Sequence, residues 1–457
     1  MTLALLLGAA GQAVARTISV HSAADVNKTW QAGDTLVWTD GEYNGKVLTL
    51  KGGGSAEAPI VLRAQTSRQV ALTTKSRLTI DGTYIEVHGF VFRGTNTGTD
   101  HVVQFSSASS HCRLTDCSIE SFNPTDATKD FKWVSLKGQN NRVDHCFFEN
   151  KTNAGTLLVV WLENGVVPSH TIDHNHFYRR TANLDSNGKE LNGQEIIRIG
   201  DSSTSMQDAD CVVESNLFEE CDGEIETISN KSCGNIYRNN IFRSCSGMLT
   251  LRHGNRCTVE DNQFLGNGKS GSGGVRIIGE GHIVRNNYFE NLAGNNYRAG
   301  ICIVRGKENP ELNEYFQVKD ATVSGNIFVN CKEAFSVNYH SSSDCTLPAL
   351  NTTIDNNIVY NDAGNTGNRI VYVAAAGGTV TWANNTYNAG KWKDYSPASS
   401  EWLRDADMVK PEPRGEELAT GDVVASTIPR AEKHIRNGQM TIELNGKQYT
   451  LTGQLIY

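Results

Sequence analysis

The sequence lacks features that mark several large classes of protein. Its 11 cysteines include no Cys-x-x-Cys pair, which argues against a zinc ribbon or a thioredoxin-like motif. Lys and Arg (42) do not outnumber Asp and Glu (50), so the formal net charge of -8 argues against a protein that coats nucleic acid. No apolar run is long enough to form a transmembrane helix. The hydrophobic fraction of 38% excludes a disordered chain.

The two ends differ from the rest of the chain. Leu3–Ala10 is a short apolar run, and Ala13-Val14-Ala15 is a small-x-small cleavage pattern, so we expect a signal peptide at 1–15 and an exported protein, periplasmic, cell-surface or secreted. Residues 408–433 are typical of a linker, because Pro411 and Pro413 stand among charged residues. Residues 434–457, with Asn445-Gly446 between two alternating segments, predict a small β-hairpin tail.

A repeat of Asn, any residue and an apolar residue runs through most of the 457 residues. Clear copies are Asn175-His176-Phe177, Asn216-Leu217-Phe218, Asn240-Ile241-Phe242, Asn262-Gln263-Phe264, Asn287-Tyr288-Phe289 and Asn326-Ile327-Phe328. The anchors from Phe218 to Phe289 are 24, 22 and 25 residues apart. A fixed period in this range indicates a solenoid, so one long domain is favoured over three ordinary ones.

The short segments of each repeat are rich in Val, Ile, Thr and Phe, which predicts strands. We therefore predict an all-β chain, a single right-handed parallel β-helix over 16–407. Asn suits an inner corner because it tolerates left-handed backbone angles and its amide can bond its neighbours in the stack. Ser22-Ala23-Ala24-Asp25 resembles a capping box, which predicts a short N-terminal capping helix with Val26 and Trp30 on one face.

The cysteines follow the same period. Cys221, Cys245 and Cys331 each stand three residues after a Phe anchor. This placement predicts buried small apolar side chains in place of functional thiols.

Charged residues that interrupt the strand pattern mark a candidate site. Glu224 and Glu226 alternate with Ile225, which predicts two carboxylates on one outer face. Aligning Gly247 with Gly223 predicts Thr250 beside Glu226, and aligning Gly273 with Gly247 brings Arg276 level with Thr250. Such acids fit either a solvated strand face, a hard-cation site or a glycosidase pair.

These segments resemble polysaccharide lyase family 6, the family of alginate lyases and chondroitinase B. The similarity rests on four segments and extends from about Ile18 to about Arg404. They are Asn192-Gly193-Gln194-Glu195-Ile196-Ile197-Arg198-Ile199-Gly200, Glu224-Ile225-Glu226 followed by Ser229-Asn230-Lys231-Ser232, Leu251-Arg252-His253-Gly254 and Asn313-Glu314-Tyr315-Phe316-Gln317-Val318-Lys319.

The resemblance implies a role for each matching residue. It implies that Asn192, Glu224 and Glu226 ligate a calcium ion, that Lys231 is the general base and that Arg252 is the general acid. Arg198, His253 and Arg276 are then expected to contact the carboxylates of the substrate, since an arginine presents a planar fork to a carboxylate.

The chemistry of uronate β-elimination suits these residue types. The C5 proton lies next to an ionised carboxylate and is very weakly acidic, so a cation on that carboxylate stabilises the charge that develops. A lysine base must be neutral, and neighbouring positive charges favour its neutral form. An arginine acid is chemically awkward because a guanidinium rarely gives up a proton, so water is a candidate to complete the transfer.

We therefore expect a calcium-dependent alginate lyase, monomeric, with an acidic polysaccharide as its partner. A dermatan sulfate lyase like chondroitinase B is the alternative within the family. A galacturonan hydrolase is less favoured because its closely spaced aspartates are not apparent. A non-catalytic carbohydrate-binding β-helix would not need the whole set of acid, base and metal ligands.

Overall fold

The computed structural model describes residues 15–340 and 342–413, together with four short strands of the tail. The body is a stack of coils in which three strands of each coil join three parallel sheets of 14 strands. The predicted parallel β-helix is therefore confirmed. The strands of sheet 1 are Thr17–Val20, Thr35–Trp38, Ile60–Ala64, Ile85–His88, Arg113–Thr115, Arg142–Asp144, Thr171–Asp173, Val212–Glu214, Ile236–Arg238, Thr258–Glu260, Ile283–Arg285, Thr322–Ser324, Thr352–Asp355 and Val380–Ala383.

The other two sheets complete each coil. The strands of sheet 2 are Gly41–Asn44, Val70–Thr73, Phe90–Arg93, Ser118–Glu120, Phe147–Glu149, His176–Thr181, Leu217–Asp222, Ile241–Arg243, Gln263–Leu265, Tyr288–Glu290, Ile327–Val329, Ile358–Tyr360, Asn385–Tyr387 and Trp402–Arg404. The strands of sheet 3 are Thr29–Gln31, Val47–Gly53, Arg77–Thr83, Val103–Phe105, Val134–Leu136, Leu158–Val160, Ile197–Gly200, Glu226–Lys231, Met248–His253, Val275–Ile277, Ile301–Val304, Glu333–Tyr339, Arg369–Val373 and Lys391–Lys393.

The repeated Phe residues form one stack through the core. Consecutive rings from Phe218 to Phe328 lie 4.6–4.8 Å apart between centroids, parallel to within 10°. This spacing equals the separation of neighbouring strands, about 4.8 Å. All 11 cysteines are buried, as predicted.

The repeated Asn residues form a second stack at the corner between sheets 1 and 2. The Oδ1 atom of Asn240 accepts the backbone N–H of Asn216, and the Oδ1 atom of Asn262 accepts that of Asn240, each at 3.0 Å. The left-handed backbone angle belongs to the residue before the stacked Asn, as at Asn239 (φ 54°) and Asp261 (φ 55°), and not to the stacked Asn as predicted. The stacked Asn therefore supplies hydrogen bonds while its predecessor turns the chain.

The N-terminal cap is shorter than the sequence predicts. A capping box between Ser22 and Asp25 opens the helix Ala23–Val26. Val26 and Trp30 are both buried, but Trp30 lies in the strand Thr29–Gln31 because the helix ends first. Two 3-10 helices, Ser202–Thr204 and Asn296–Arg298, lie between strands elsewhere.

The tail contains strands Glu432–Arg436, Gln439–Leu444, Lys447–Tyr449 and Leu455–Ile456, which pair antiparallel in chain order. The predicted hairpin lies within this sheet. The predicted signal peptide lies outside the described residues except for Ala15, and so does the linker between 414 and 431. Among the described residues no helix is long and apolar enough to cross a membrane.

Candidate active site

The outward side chains of sheet 3 form a column that crosses the coils. Arg198 pairs with Ser229, Ser229 with Thr250, and Thr250 with Arg276. The neighbouring positions in the same strands, such as Ile228 and Leu249, are buried in the core, so the column faces away from it. Arg276 is level with Thr250, as the glycine alignment predicts.

Two register shifts distort sheet 3 at the candidate site. Glu226 pairs with Met248, and Thr250 pairs with Ser229, so the predicted pairing of Thr250 with Glu226 is wrong. The first shift lies between Glu226 and Ile228, which offsets the alignment of the two glycines. The second pairs Lys231 with His253 and leaves Arg252 out of the ladder. Bulges of this kind redirect side chains, here those of the predicted acid and base.

Three glutamates meet where these strands begin. The carboxylate oxygens of Glu195, Glu224 and Glu226 lie within 4.8 Å of one another, and all three residues are buried. We call this group the acidic trio. Glu195 is absent from the predicted ligands although it belongs to the segment that also contains Asn192. One feature of the sequence could have identified Glu195 as a ligand: it is an acid three residues after Asn192, just ahead of the strand Ile197–Gly200.

Asn192 is exposed and lies beside the trio. It lines a cavity of about 560 Å³ together with Glu224. The backbone N–H of the next residue, Gly193, donates to Glu224 Oε2 at 3.0 Å. The structure thus brings all three predicted metal ligands to one place, where Glu195 adds a fourth oxygen-bearing side chain.

The trio concentrates negative charge in a buried position. Burial, with the charges of Glu195 and Glu226 in addition, raises the pKa of Glu224 to about 8. Arg180, which is fully buried, adds a positive charge close to Glu195 and Glu224. Its Nη2 donates to the carbonyl of Gly155 at 2.8 Å, whereas its Nε and Nη1 have no hydrogen-bond partner. The sequence does not mark Arg180 as a site residue, because it lies in the strand His176–Thr181 of sheet 2, away from the segments that predict the site.

Glu226 is held on both sides. Ser229 Oγ donates to its Oε2, and Arg276 Nη2 donates to its Oε1. Arg276 is only 1% exposed and stacks against the ring of Tyr297, 4.1 Å from the centroid. These contacts fix the direction of one carboxylate of the trio.

Lys231 lies at the end of the strand that begins with Glu226. Its Nζ is 3.9 Å from Glu195 Oε1, and its side chain is 18% exposed. Gly200 stands opposite it, and a Cβ at that glycine would come within 2.4 Å of the Lys231 carbonyl oxygen. The amine is therefore close to the trio yet accessible from outside.

Arg252 and His253 come from the next coil. Burial, with the positive charges of Arg252 and Lys231 in addition, lowers the pKa of His253 to about 3, so the imidazole is neutral. His253 Nδ1 lies 3.4 Å from Arg252 Nη1, and its Nε2 lies 3.4 Å from Ser202 Oγ. Lys231 and Arg252 thus place two positive charges around the neutral His253.

A loop that is distant in sequence holds Arg252. Its guanidinium donates to the carbonyls of Asn313 and Glu314, each at 3.2 Å, and lies 4.3 Å from the centroid of the Tyr315 ring. The Tyr315 hydroxyl is 2.8 Å from that of Tyr297. Tyr315 belongs to the segment 313–319, which resembles the family but for which the resemblance implies no residue role.

Arg198 is the most available of the predicted substrate contacts. It is half-buried, its Nε has no hydrogen-bond partner, and its guanidinium lies 5.1 Å from the centroid of the Trp161 ring. His253 is neutral and Arg276 is engaged by Glu226, so these two are less suited to bind a substrate carboxylate.

The oxygen atoms of the site fit a hard divalent cation. Two ligands that are each about 2.3–2.6 Å from one calcium ion are separated by no more than about 5 Å. The spread of 4.8 Å within the trio meets that limit. A divalent charge would also relieve the repulsion that raises the pKa of Glu224.

Comparison with known proteins identifies relatives of this chain. The chondroitinase B family model matches residues 18–400. The PL6 family alginate lyase AlyGC aligns with a TM-score of 0.81 at 29% identity, over 92% of this chain and 60% of that one. A mannuronic acid specific family 6 lyase from human gut microbiota aligns with a TM-score of 0.72 at 29% identity, over 82% of this chain and 86% of that one.

A PL6 family polysaccharide lyase from Pseudopedobacter saltans aligns with a TM-score of 0.69 at 26% identity, over 88% of this chain and 96% of that one. No curated protein matches at the level that would count as a relative. The family model covers more than four-fifths of the chain, including all the predicted site residues. The chain therefore belongs to polysaccharide lyase family 6, the family that the chondroitinase B model describes.

Proposed function

We propose that the protein is a calcium-dependent lyase that cleaves alginate by β-elimination and leaves 4,5-unsaturated ends. The observation that carries the proposal is the position of Lys231, an accessible amine 3.9 Å from the buried acidic trio and paired with His253 in the coil of Arg252. Support for alginate comes from AlyGC, an alginate lyase, and from the mannuronic acid specific relative, each 29% identical.

The calcium ion would be held by Glu224 and Glu226, with Asn192 and Glu195 as the further oxygen donors around them. Carboxylate and amide oxygens are the ligands that calcium prefers. When bound, calcium supplies positive charge beside the substrate carboxylate, which stabilises negative charge that develops as the C5 proton leaves.

Lys231 is proposed as the base that takes the C5 proton on its Nζ. The step requires the neutral form of the amine. Glu195 is proposed to orient the amine, because its Oε2 is fixed by Thr156 Oγ1 at 2.7 Å while its Oε1 faces Lys231. In this arrangement Glu195 orients the Lys231 amine, which remains accessible to a substrate.

Arg252 is proposed to deliver a proton to the leaving O4. The two carbonyls that hold its guanidinium fix its direction, and the ring of Tyr315 covers one face. Because a guanidinium rarely gives up a proton, we expect a water molecule bound to it to complete the transfer. Neutral His253 keeps one side of Arg252 free of a competing anion.

Arg198 is proposed to bind a substrate carboxylate through its half-buried guanidinium. His253 is proposed as a neutral hydrogen-bonding group at the same substrate. We assign Arg276 to the positioning of Glu226, since the carboxylate and the Tyr297 ring occupy its guanidinium.

Dermatan sulfate is the second candidate substrate, because the matching family model is that of chondroitinase B. Alginate, poly-mannuronate, poly-guluronate and dermatan sulfate are each incubated with the protein and calcium, and absorbance of the 4,5-unsaturated product is recorded. We expect the fastest rise on one of the three alginate polymers. A faster rise on dermatan sulfate would replace the substrate, and no rise on any polymer would overturn the lyase proposal.

Export is proposed as well, because the substrate polymer is too large to enter a cell unaided. Expression of the full chain and N-terminal sequencing of the mature protein is the test. We expect a start at Arg16; retention of Met1 in the mature protein would contradict the proposed signal peptide.

A further inference from the structure

A second cavity lies on the same outer face of sheet 3, toward the N-terminal end of the stack. It has a volume of about 600 Å³, and its lining includes Thr79, Gln104, Ser135, Trp161, His101 and Lys137. This is the size of cavity that holds a small organic ligand. The acidic trio, Lys231 and Arg252 do not line it.

The cavity and the reaction centre share one column of the β-helix. Thr79 pairs with Gln104, Gln104 with Ser135, and Ser135 with Val159. Val159 then pairs with Arg198, the proposed substrate contact. The lining begins at Trp161, one coil from Arg198, and continues away from it at about 4.8 Å per coil. A chain bound along the axis of the β-helix would pass over both places.

Trp161 connects the two places. Arg198 lies against its ring at 5.1 Å from the centroid, and its Nε1 donates to Ser135 Oγ at 2.9 Å. The half-buried indole is thus fixed by two contacts and also lines the cavity. A rigid aromatic ring beside polar groups suits the apolar face of a sugar ring.

The polar groups of the cavity complement a hydroxyl-rich ligand. His101 Nδ1 accepts the backbone N–H of Lys132 at 3.1 Å, which leaves the proton of the neutral ring on Nε2 as a donor. Lys137 adds one cation, and Glu163, 3.8 Å from it, adds one anion. This balanced charge differs from the crowded charge of the reaction centre.

We propose that this cavity is a sugar-binding subsite that receives a uronate residue of the same polysaccharide chain, stacked on Trp161, with its carboxylate toward Lys137 and its hydroxyls toward Gln104 and His101. The inference rests on the proposed function for the identity of the chain. It assigns the N-terminal part of the sheet 3 face to binding and to preference for long substrates.

The first test measures how activity depends on substrate length. The ratio of kcat/KM on an alginate octasaccharide to that on a trisaccharide is compared in the wild-type protein, Trp161→Ala and Gln104→Ala. Each variant should lower the ratio about ten-fold, the loss expected of one aromatic or buried polar contact. Lys75→Ala, at an exposed lysine outside this cavity, is the matched control and should keep the wild-type ratio.

An unchanged ratio in both variants would overturn the subsite. An equal loss on both lengths would overturn it too, since that result would show that Trp161 acts only through Arg198.

The second test does not depend on catalysis. Octasaccharide is added to Lys231→Ala and to Lys231→Ala with Trp161→Phe, and tryptophan fluorescence is recorded. A change that requires Trp161 supports the subsite, and a change that is equal in both proteins contradicts it. If the wild-type protein cleaves no uronate polymer, the proposed function fails on its own, and the fluorescence result alone decides the subsite.

Discussion

The Asn stack and the acidic trio lie in the same coils, but they differ in how well their polar groups are satisfied. Each Asn of the stack is bonded to the coils on both sides, and the geometry repeats from Asn175 to Asn385. At the trio, three carboxylates crowd together, and Arg180 beside them retains two donors without partners. Satisfied groups stabilise a fold, whereas crowded charge costs stability unless something binds there.

The backbone shows the same contrast. Sheet 1 and sheet 2 keep an unbroken register through the coils around the site, for example from Val212 to Thr258. Sheet 3 shifts register twice in the strand Glu226–Lys231. We infer that repetition carries the stability of this molecule, whereas the departures from it lie at the site of the proposed function.

The largest expected effect comes from Lys231→Ala. Loss of the proposed base should lower kcat on alginate by about 1000-fold, as removal of a positioned acid or base does. The melting temperature should stay near that of the wild type, because the amine is partly exposed and belongs to no stack. Lys410→Ala, an exposed lysine that pairs with Glu290 on sheet 2, is the control. Wild-type activity in the Lys231 variant would refute the assignment of the base.

Asn262→Ala, in contrast, should lower the stability of the protein and leave the activity of the folded fraction unchanged. Its Oδ1 accepts from Asn240, and its Nδ2 donates to the Tyr237 carbonyl at 2.9 Å, so the variant leaves buried groups unpaired. We expect a loss of about 3 kcal/mol in the free energy of unfolding, measured by urea denaturation. The KM of the folded fraction should be unchanged.

The exposed Asn164 supplies the control for that variant, since its side chain accepts one long hydrogen bond, from Gln207 at 3.4 Å. If Asn164→Ala lowered the free energy of unfolding by a similar amount, the Asn stack would contribute no more to stability than an exposed Asn.

A change of pH should have a smaller effect, on the melting temperature of the protein freed of divalent ions. The pKa of Glu224 in the fold, about 8, is higher than the value near 4.3 of an unfolded glutamate. Its contribution is therefore most favourable below about pH 4 and is lost as the pH rises toward 8. The melting temperature should fall by several degrees between pH 5 and pH 8, and calcium should restore it at pH 8.

Glu224→Gln should remove most of that pH dependence, because an amide does not titrate. Glu42→Gln, an exposed glutamate that pairs with Arg93, should keep it. A slope that persists in Glu224→Gln would show that the charge of the trio is not its origin.

The smallest effect is expected from the loop that holds Arg252. Tyr315→Ala removes the ring beside the guanidinium and should lower kcat about ten-fold with little change in KM, the weight of a cation–π contact. Tyr315→Phe keeps the ring and should retain most of the activity. An equal loss in both variants would assign the effect to the hydroxyl and contradict the stacking account.

The same contrast explains what the sequence could predict. The Asn-x-Phe spacing predicts the β-helix because each coil repeats the same contacts. The alignment of glycines places Arg276 beside Thr250 correctly. The same alignment places Thr250 beside Glu226 wrongly, because it does not count the extra residue at a bulge. Glu195 and Tyr315 reach the site from an earlier coil and from a long loop, so no local spacing relates them to Glu224 or Arg252.

The central claim is tested most directly by one assay on three proteins. Initial rates of 4,5-unsaturated product formation on alginate are measured for the wild type, Lys231→Ala and Asn262→Ala, after chelation and after calcium is restored, per mole of folded protein. We predict that calcium restores the wild type and Asn262→Ala to equal rates and leaves Lys231→Ala silent. Equal rates in all three proteins, or rates that chelation does not change, would contradict the account.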